Sequence, residues 1–382
     1  MKQPVAPFMI LPPLRIRVMS TVTGYPVEML MDKPAHVTRM SRSPTGPLWA
    51  YLDAAGLLLL IVPNMVTSLA LFAQLCGIRI GAGIRTLPLT LEWISAGCAF
   101  LWLGILVIGR RPRGRTRAAA AAVGATAVYA STPAAGQIQH PYLQYVALIA
   151  TLTWLVLEVC RRHGICPRCL GLAPPDARDQ RQQALMVGWM SVQAYVPAVL
   201  AVVTLPVLLS WWDGAPLLRA PQIDVLGISP DRPLGGVLNL LLCAGVVEDL
   251  IVVAGVTAVL TSAAASARVV YATVGLAAAV LHLYLGLPGL VFGISDALRA
   301  GLLRRYGRLT PMIMSHLICD IFAFALSGMS FLATLAVGAV LVVAFKTIER
   351  LHVSESEELR QNSPDLEISI DAVPLSGGKI RQ

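Results

Sequence analysis

The sequence predicts an all-α protein, a polytopic membrane helix bundle with about ten transmembrane helices. Two features of its composition support this: 56% of the 382 residues are hydrophobic and only 13% are charged, whereas soluble domains carry about 25% charged residues. The third observation is a series of long apolar runs, because about 20 such residues are enough to cross the hydrocarbon core of a bilayer.

Apolar runs define the predicted elements in chain order. They lie at residues 49–76, 87–109, 118–132, 142–160, 184–212, 235–262, 268–288, 289–304, 309–327 and 329–347. The run at 118–132 is short and rich in alanine. The run at 289–304 carries Asp296 and Arg299, so it can span a membrane only where neighbouring helices shield those charges.

Basic loops set the predicted orientation. Lys and Arg cluster between apolar runs in "RRPRGR" at 110–115, "RRHGICPR" at 161–168 and "RRYGR" at 304–308, and loops of this kind stay in the cytoplasm. Ten crossings place these loops and both termini on the cytoplasmic side of the cell membrane. The formal charge of +9 is accounted for by such loops, so the lipid bilayer is a predicted partner and nucleic acid is not.

Composition divides the chain into four predicted regions. Residues 1–47 are rich in proline and form a poorly ordered cytoplasmic extension. Residues 48–182 form an N-terminal transmembrane half with basic loops, and residues 183–347 form a second transmembrane core. Residues 348–382 are polar and acidic with little apolar periodicity, which is typical of a disordered tail.

Ionisable residues deep within apolar runs concentrate in the second core. They are Glu248, Asp249, His282, Asp296, His316 and Asp320. In the first half, Asp53, Glu92 and Glu158 lie near the ends of their runs, where side chains can reach the membrane interface. A charge at the centre of a membrane helix costs roughly 2.5–3.5 kcal/mol on insertion scales. We therefore expect the helices of the second core to pack with their polar groups converging.

Helical geometry predicts which of these side chains share a face. His316 and Asp320, four residues apart in "MSHLICDIF", project from one face of a helix. A local hydrogen bond or a contact between helices is the structural alternative for this pair. Glu248 and Asp249 diverge by about 100° on an α-helix, so at most one of them is predicted to face a single site.

The types of residue in this set suggest three kinds of chemistry. A carboxylate with two imidazoles can activate water, carry a proton and stabilise an oxyanion. The same groups could hold a divalent metal ion, and proton-coupled transporters use such sets as well. The residues by themselves leave these alternatives open.

The order of the polar residues resembles that of a known family. "ED" in one helix, a His ending the next and HxxxD after "YGRLTP" are similar to the EExxxR, FxxxH and HxxxN or HxxxD motifs of the CPBP family (CAAX protease and bacteriocin-processing, or Abi). The resemblance covers about residues 235–347. It implies a CPBP-type intramembrane protease core at 183–347, which hydrolyses a peptide bond of a membrane-associated protein or peptide.

The resemblance also implies roles for five catalytic-site residues. Glu248 matches the glutamate that is thought to activate water, and Asp249 replaces the second glutamate of that motif. His282 matches the second motif. His316 and Asp320 match the third, whose side chains are taken to position or stabilise the oxyanion. No cofactor and no metal ligand is assigned.

Two positions depart from the family pattern. Val253 stands where the first motif has its arginine, and Ala278 stands where the second motif has its phenylalanine. The missing arginine favours an alternative function, a non-catalytic membrane protein (immunity factor, scaffold or transporter) that keeps a polar cavity. The presence of Glu248 with both histidines favours the peptidase.

A second candidate site lies in "CRRHGICPRC" between the two halves. Cys160, His163, Cys166 and Cys169 follow at three-residue spacing, and thiolates with imidazole could bind zinc. The sequence lacks a second CxxC half-site, so a reduced thiol pair or palmitoylated cysteines are the simpler alternatives. No disulfide framework is predicted for this cytoplasmic segment, because disulfides are rare in that compartment.

Overall fold

A computed structural model describes residues 44–109, 114–119, 124, 141–172, 178–208 and 233–327. All regular secondary structure in these ranges is helical, which confirms the predicted all-α class. The apolar run predicted at 329–347 lies outside the described residues, as do the tail and nearly all of the N-terminal extension and of the run at 118–132.

The structure gives bounds for ten α-helices and one π-helix, and residues 114–119 are helical as well. The first five are α1 (Pro47–Leu60), α2 (Val62–Leu75), α3 (Ala82–Gly109), α4 (Pro141–Arg162) and α5 (Arg178–Leu208). The second set is α6 (Pro233–Leu240), the π-helix (Leu241–Val256), α7 (Thr257–Ser262), α8 (Ala267–Leu281), α9 (Leu290–Tyr306) and α10 (Leu309–Ser327). Two short 3₁₀ turns, Leu283–Leu285 and Leu287–Gly289, connect α8 to α9.

Local sequence signals account for several of these boundaries. Pro63 at the start of α2 coincides with a bend of 49° between α1 and α2, as expected where a proline removes a backbone donor. The Ser266 side chain accepts a hydrogen bond from the Val269 amide and caps α8. Gly307 ends α9 in the left-handed conformation, and its amide donates to Leu303 O.

Several of the described helices could cross a membrane. Three are long and apolar enough by themselves: Thr90–Gly109, Gln180–Val202 and Val237–Ser262. The bent pair α1–α2 would supply a fourth span if it crosses as one unit. The apolar run at 268–288 is not one helix, because α8 ends at Leu281. The count of ten spans therefore stays a prediction.

The π-helix lies at the centre of the main hydrophobic core. From Ala244 to Val256 nearly every residue is buried, and it packs against α1, α4, α8 and α9. The adjacent helices α8 and α9 approach so closely that a Cβ on Gly275 would lie 2.8 Å from the Gly293 carbonyl oxygen. Small residues permit this contact between backbones, and it packs the start of α9 against the C-terminal half of α8.

Candidate active site

Five sequence-predicted residues come together where the π-helix, α8 and α10 meet. Glu248 and Asp249 lie on the π-helix, His282 forms the C-cap of α8, and His316 and Asp320 lie on α10. We call this group the Glu248 site. The long π-helical segment is itself unusual, since π-helices occur mostly as single turns and often at functional sites.

Glu248 Oε2 is the atom on which the two imidazoles converge. His282 Nε2 lies 3.4 Å from it and His316 Nε2 lies 3.5 Å from it. On the other side, Asp320 Oδ2 lies 3.6 Å from His316 Nε2. Within the part of the chain that the structure describes, Glu248 Oε2 forms no hydrogen bond. The carboxylate therefore faces two imidazoles at distances that a small shift, or one proton, would turn into hydrogen bonds.

Both imidazoles are oriented through their other ring nitrogen. His282 Nδ1 lies 2.9 Å from Ala278 O, and a carbonyl oxygen only accepts, so this nitrogen carries the proton. His316 Nδ1 lies 3.1 Å from Asp249 Oδ1, which fixes it as a donor when that carboxylate is ionised. Each neutral ring then presents an unprotonated Nε2 toward Glu248, as suits a group that accepts and returns a proton.

An aromatic ring stacks on each of the two imidazoles. His282 stacks on Phe292 with ring centroids 4.1 Å apart, and His316 stacks on Tyr195 with centroids 4.5 Å apart. Tyr195 comes from α5 and Phe292 from α9. Stacking together with a fixed Nδ1 partner leaves each ring little freedom to rotate.

The expectation that only one of Glu248 and Asp249 faces the site is wrong. The two carboxylates contact opposite nitrogens of the same ring, His316, with Glu248 near Nε2 and Asp249 near Nδ1. The prediction assumed that both carboxylates would have to reach the same atom. An imidazole on a facing helix presents two nitrogens on its two sides, so adjacent residues that diverge can both reach it.

Arg299 is a residue of this network that was not assigned to the site from sequence. Its guanidinium lies 2.5 Å from Asp249 Oδ1 and 3.0 Å from Asp296 Oδ1, and all three side chains are fully buried. It also donates to Ser191 Oγ and to the Tyr195 hydroxyl. The signal was present in the sequence as an Asp and an Arg three residues apart inside an apolar run. Its connection to Asp249 required the tertiary structure.

The two positions that depart from the family motifs are both aliphatic and buried. Val253 and Ala278 are 0% exposed. Ala278 has no aromatic ring to offer, but its backbone carbonyl oxygen contacts His282 Nδ1. The cation that contacts Asp249 in this chain is Arg299 of α9.

Access to the site is uneven. The side chains of Asp320 and Glu248 are 30% and 14% exposed, whereas those of Asp249 and His316 are at most 3% exposed. Asp320 is therefore the most exposed side chain of the site, whereas Glu248 Oε2 itself is buried. Within the described ranges, no group of three His, Cys, Asp or Glu side chains is arranged to hold a metal ion.

A second buried polar cluster lies in the N-terminal half. Asp53 Oδ2 lies 2.8 Å from His163 Nε2, and Asp53 Oδ1 accepts a hydrogen bond of 3.3 Å from Arg162. Thr45 Oγ1 lies 3.1 Å from His163 Nδ1. We call these four residues the Asp53 cluster. Asp53 is buried and has partners within the protein, while its position near a membrane interface stays a prediction.

Glu158 likewise has partners within the protein. Its side chain is 3% exposed and contacts Arg161 at 2.9 Å and Trp154 at 3.2 Å. Local partners on the same helix allow this carboxylate to remain inside the core.

The four residues of "CRRHGICPRC" do not form a common ligand set. Cys166 and Cys169 are joined by a disulfide, Cys160 is a buried free thiol, and His163 belongs to the Asp53 cluster. The bridge closes a loop of four residues, so it is a local link and not a framework between helices.

Comparisons with protein-family models, with curated proteins and with solved structures found no match to this chain.

Proposed function

We propose that the protein is an intramembrane endopeptidase that cleaves a membrane-associated protein or peptide with water activated by Glu248. The observation that carries the proposal is the convergence of two imidazole Nε2 atoms on Glu248 Oε2, at 3.4 and 3.5 Å. A general base must lie within about 2.6–3.2 Å of the proton donor, or reach it through one water. A water beside Glu248 would also be beside both imidazoles.

The proposed reaction assigns a role to each group. Glu248 takes a proton from water, whose oxygen attacks the scissile carbonyl carbon. His282 and His316 exchange that proton with Glu248 and return it to the leaving amide nitrogen, and the C–N bond breaks. Asp320, on the exposed side, contributes to the oxyanion environment when protonated, because only then can it donate a hydrogen bond.

Arg299 takes the place of the arginine that the family resemblance expects at position 253. Its contact with Asp249 compensates the charge of that buried carboxylate, which otherwise would be strongly unfavourable. Asp249 can then accept from His316 Nδ1 and fix the orientation of that ring. The absence of arginine from the first motif is thus compatible with the same arrangement of carboxylate and imidazole.

The family membership, the ten-span topology and the cytoplasmic termini belong to this proposal as well. The apolar helices support a membrane location, and the motif order supports the CPBP-type core. The alternative is a non-catalytic membrane protein, an immunity factor, scaffold or transporter that keeps these charges as a structural cavity. It is favoured by the aliphatic residues at 253 and 278.

Cleavage of a membrane-peptide library in H₂¹⁸O by the full chain in detergent tests the proposal. We expect one ¹⁸O atom in each new carboxylate, and loss of cleavage in Glu248→Gln. Asp53→Asn is the matched control, since it alters a buried carboxylate outside the Glu248 site and should retain cleavage. A folded wild-type protein that cleaves nothing, or a Glu248→Gln variant that still cleaves, would overturn the peptidase and favour the non-catalytic alternative.

A further inference from the structure

The loop between α4 and α5 carries a pair of cysteines that the Glu248 site does not use. Cys166 is exposed, Cys169 is partly buried against the main core, and their sulfurs are bonded with the Cα atoms 5.1 Å apart. The other cysteines in the described ranges are free thiols, and none of them belongs to a CxxC pair. Cys166 is therefore the more accessible residue of the pair.

The backbone around the pair favours a thiolate at Cys166. The amide of Cys169 lies 3.1 Å from Cys166 Sγ and points toward it as a donor. A hydrogen bond from an amide stabilises negative charge on sulfur more than it stabilises a neutral thiol. Arg161 and Arg168, on either side of Cys166 in the sequence, add positive charge to the same loop. These are the surroundings of reactive CxxC cysteines and not of inert structural ones.

The part of the loop that follows Cys169 is anchored to the start of α10. The Leu309 amide donates to Leu170 O at 3.0 Å, and the Thr310 hydroxyl donates to Gly171 O at 3.1 Å. A Cβ on Gly171 would overlap the backbone at Gly307, so the two segments touch without a side chain between them. An anchored loop keeps Cys169 close to Cys166 after the bond opens, which favours renewed closure.

We propose that Cys166 and Cys169 form a redox-active site that exchanges electrons with a dithiol reductant. Basic residues predict that this loop is cytoplasmic, and disulfides there are transient, catalytic or redox-sensing. The proposal is independent of peptide hydrolysis at the Glu248 site.

The exchange proceeds in two balanced steps. A thiolate of the reductant attacks the exposed Cys166 Sγ, the Cys166–Cys169 bond breaks, and Cys169 leaves as a thiolate that takes up a proton. The second thiolate of the reductant then attacks the mixed disulfide and releases Cys166. The reductant ends as a disulfide, and the protein gains two electrons and two protons.

Mass spectrometry after alkylation tests the site on the full chain in detergent, equilibrated with mixtures of reduced and oxidised dithiothreitol. We expect Cys166 and Cys169 to gain and lose alkylation together and reversibly as the mixture changes. Cys76 is an internal control, because it is exposed but has no neighbouring cysteine. Thiols that stay fully alkylated in the oxidised mixture, or carry an acyl chain, would overturn the proposal.

Two single variants test which sulfur is attacked. With oxidised glutathione, Cys169→Ser should accumulate a mixed disulfide at Cys166, several-fold more than Cys166→Ser accumulates at Cys169. Equal labelling in the two variants would contradict the assignment of Cys166 as the sulfur that is attacked. Neither variant alters the Glu248 site, so this result is separate from any result on cleavage.

Discussion

The Glu248 site and the Asp53 cluster are both buried and both combine carboxylate, imidazole and arginine, but they differ in how charge is matched. In the Asp53 cluster one carboxylate has a partner on each oxygen, Arg162 and His163. The Glu248 site, together with Asp296 and Arg299, joins four carboxylates to one arginine and two histidines. The carboxylates are Glu248, Asp249, Asp296 and Asp320, and the basic groups are His282, Arg299 and His316.

This difference separates a contact that stabilises the fold from an arrangement able to perform chemistry. One oxygen of each of three carboxylates forms no hydrogen bond within the described ranges: Glu248 Oε2, Asp249 Oδ2 and Asp296 Oδ2. Leaving such groups unsatisfied in a core costs free energy, and active sites are where such costs are commonly tolerated. The Asp53 cluster has no comparable excess of acid, and so we assign it a structural role.

The largest expected effect comes from removing the cation of the Glu248 site. Arg299→Met leaves Asp249 and Asp296 buried without their partner, and we expect a loss of about 3–5 kcal/mol in the free energy of unfolding. Thermal unfolding in detergent measures it. Arg304→Met on the same helix is the control, because Arg304 lies over the Tyr271 ring and not between carboxylates.

A double variant sharpens that experiment. Adding Asp249→Asn to Arg299→Met removes one of the unpaired charges, so the double variant should be more stable than Arg299→Met alone. Additive losses would mean that the two side chains are not coupled, and the description of Arg299 as the partner of Asp249 would be wrong.

A pair of isosteric variants should affect stability differently in the two clusters. Asp53→Asn places a neutral amide against the Arg162 guanidinium and the His163 ring, and we expect a loss of about 1.5–3 kcal/mol. Glu248→Gln removes one carboxylate from a cluster that has more acidic than basic groups. We expect the free energy of unfolding to stay the same or to rise by up to about 1 kcal/mol. Chemical denaturation of both variants in the same micelles measures the difference.

The comparison fails if Glu248→Gln is destabilised as much as Asp53→Asn. That result would show that Glu248 is a matched structural group, and it would favour the non-catalytic alternative without any substrate assay.

The smallest expected loss of stability concerns Tyr195 of α5. Tyr195→Phe removes a hydroxyl that contacts both Arg299 and Asp296 but keeps the ring stacked on His316. We expect a loss of about 1–2 kcal/mol in unfolding free energy. Tyr284→Phe is a matched control, because its ring packs at 6.1 Å from His282. Equal losses in the two variants would show that the hydroxyl of Tyr195 has no special role.

The sequence by itself determined the helical class and the candidates for the polar site. Apolar composition and long apolar runs are local properties, and isolated charges within them are conspicuous, so Glu248, Asp249, His282, His316 and Asp320 could be named without coordinates. The bend at Pro63 and the end of α9 at Gly307 follow from backbone chemistry that is equally local.

Only the tertiary structure decided which charges are partners. Asp249 meets His316 across 67 positions, and Arg299 reaches Ser191 across 108. Such pairs depend on how the π-helix, α5 and α9 pack, and no periodicity in a single segment encodes that packing. The pairing of Asp53 was hidden for the same reason: its partner His163 lies 110 positions away, and burial of a carboxylate is favourable only once that partner is in place.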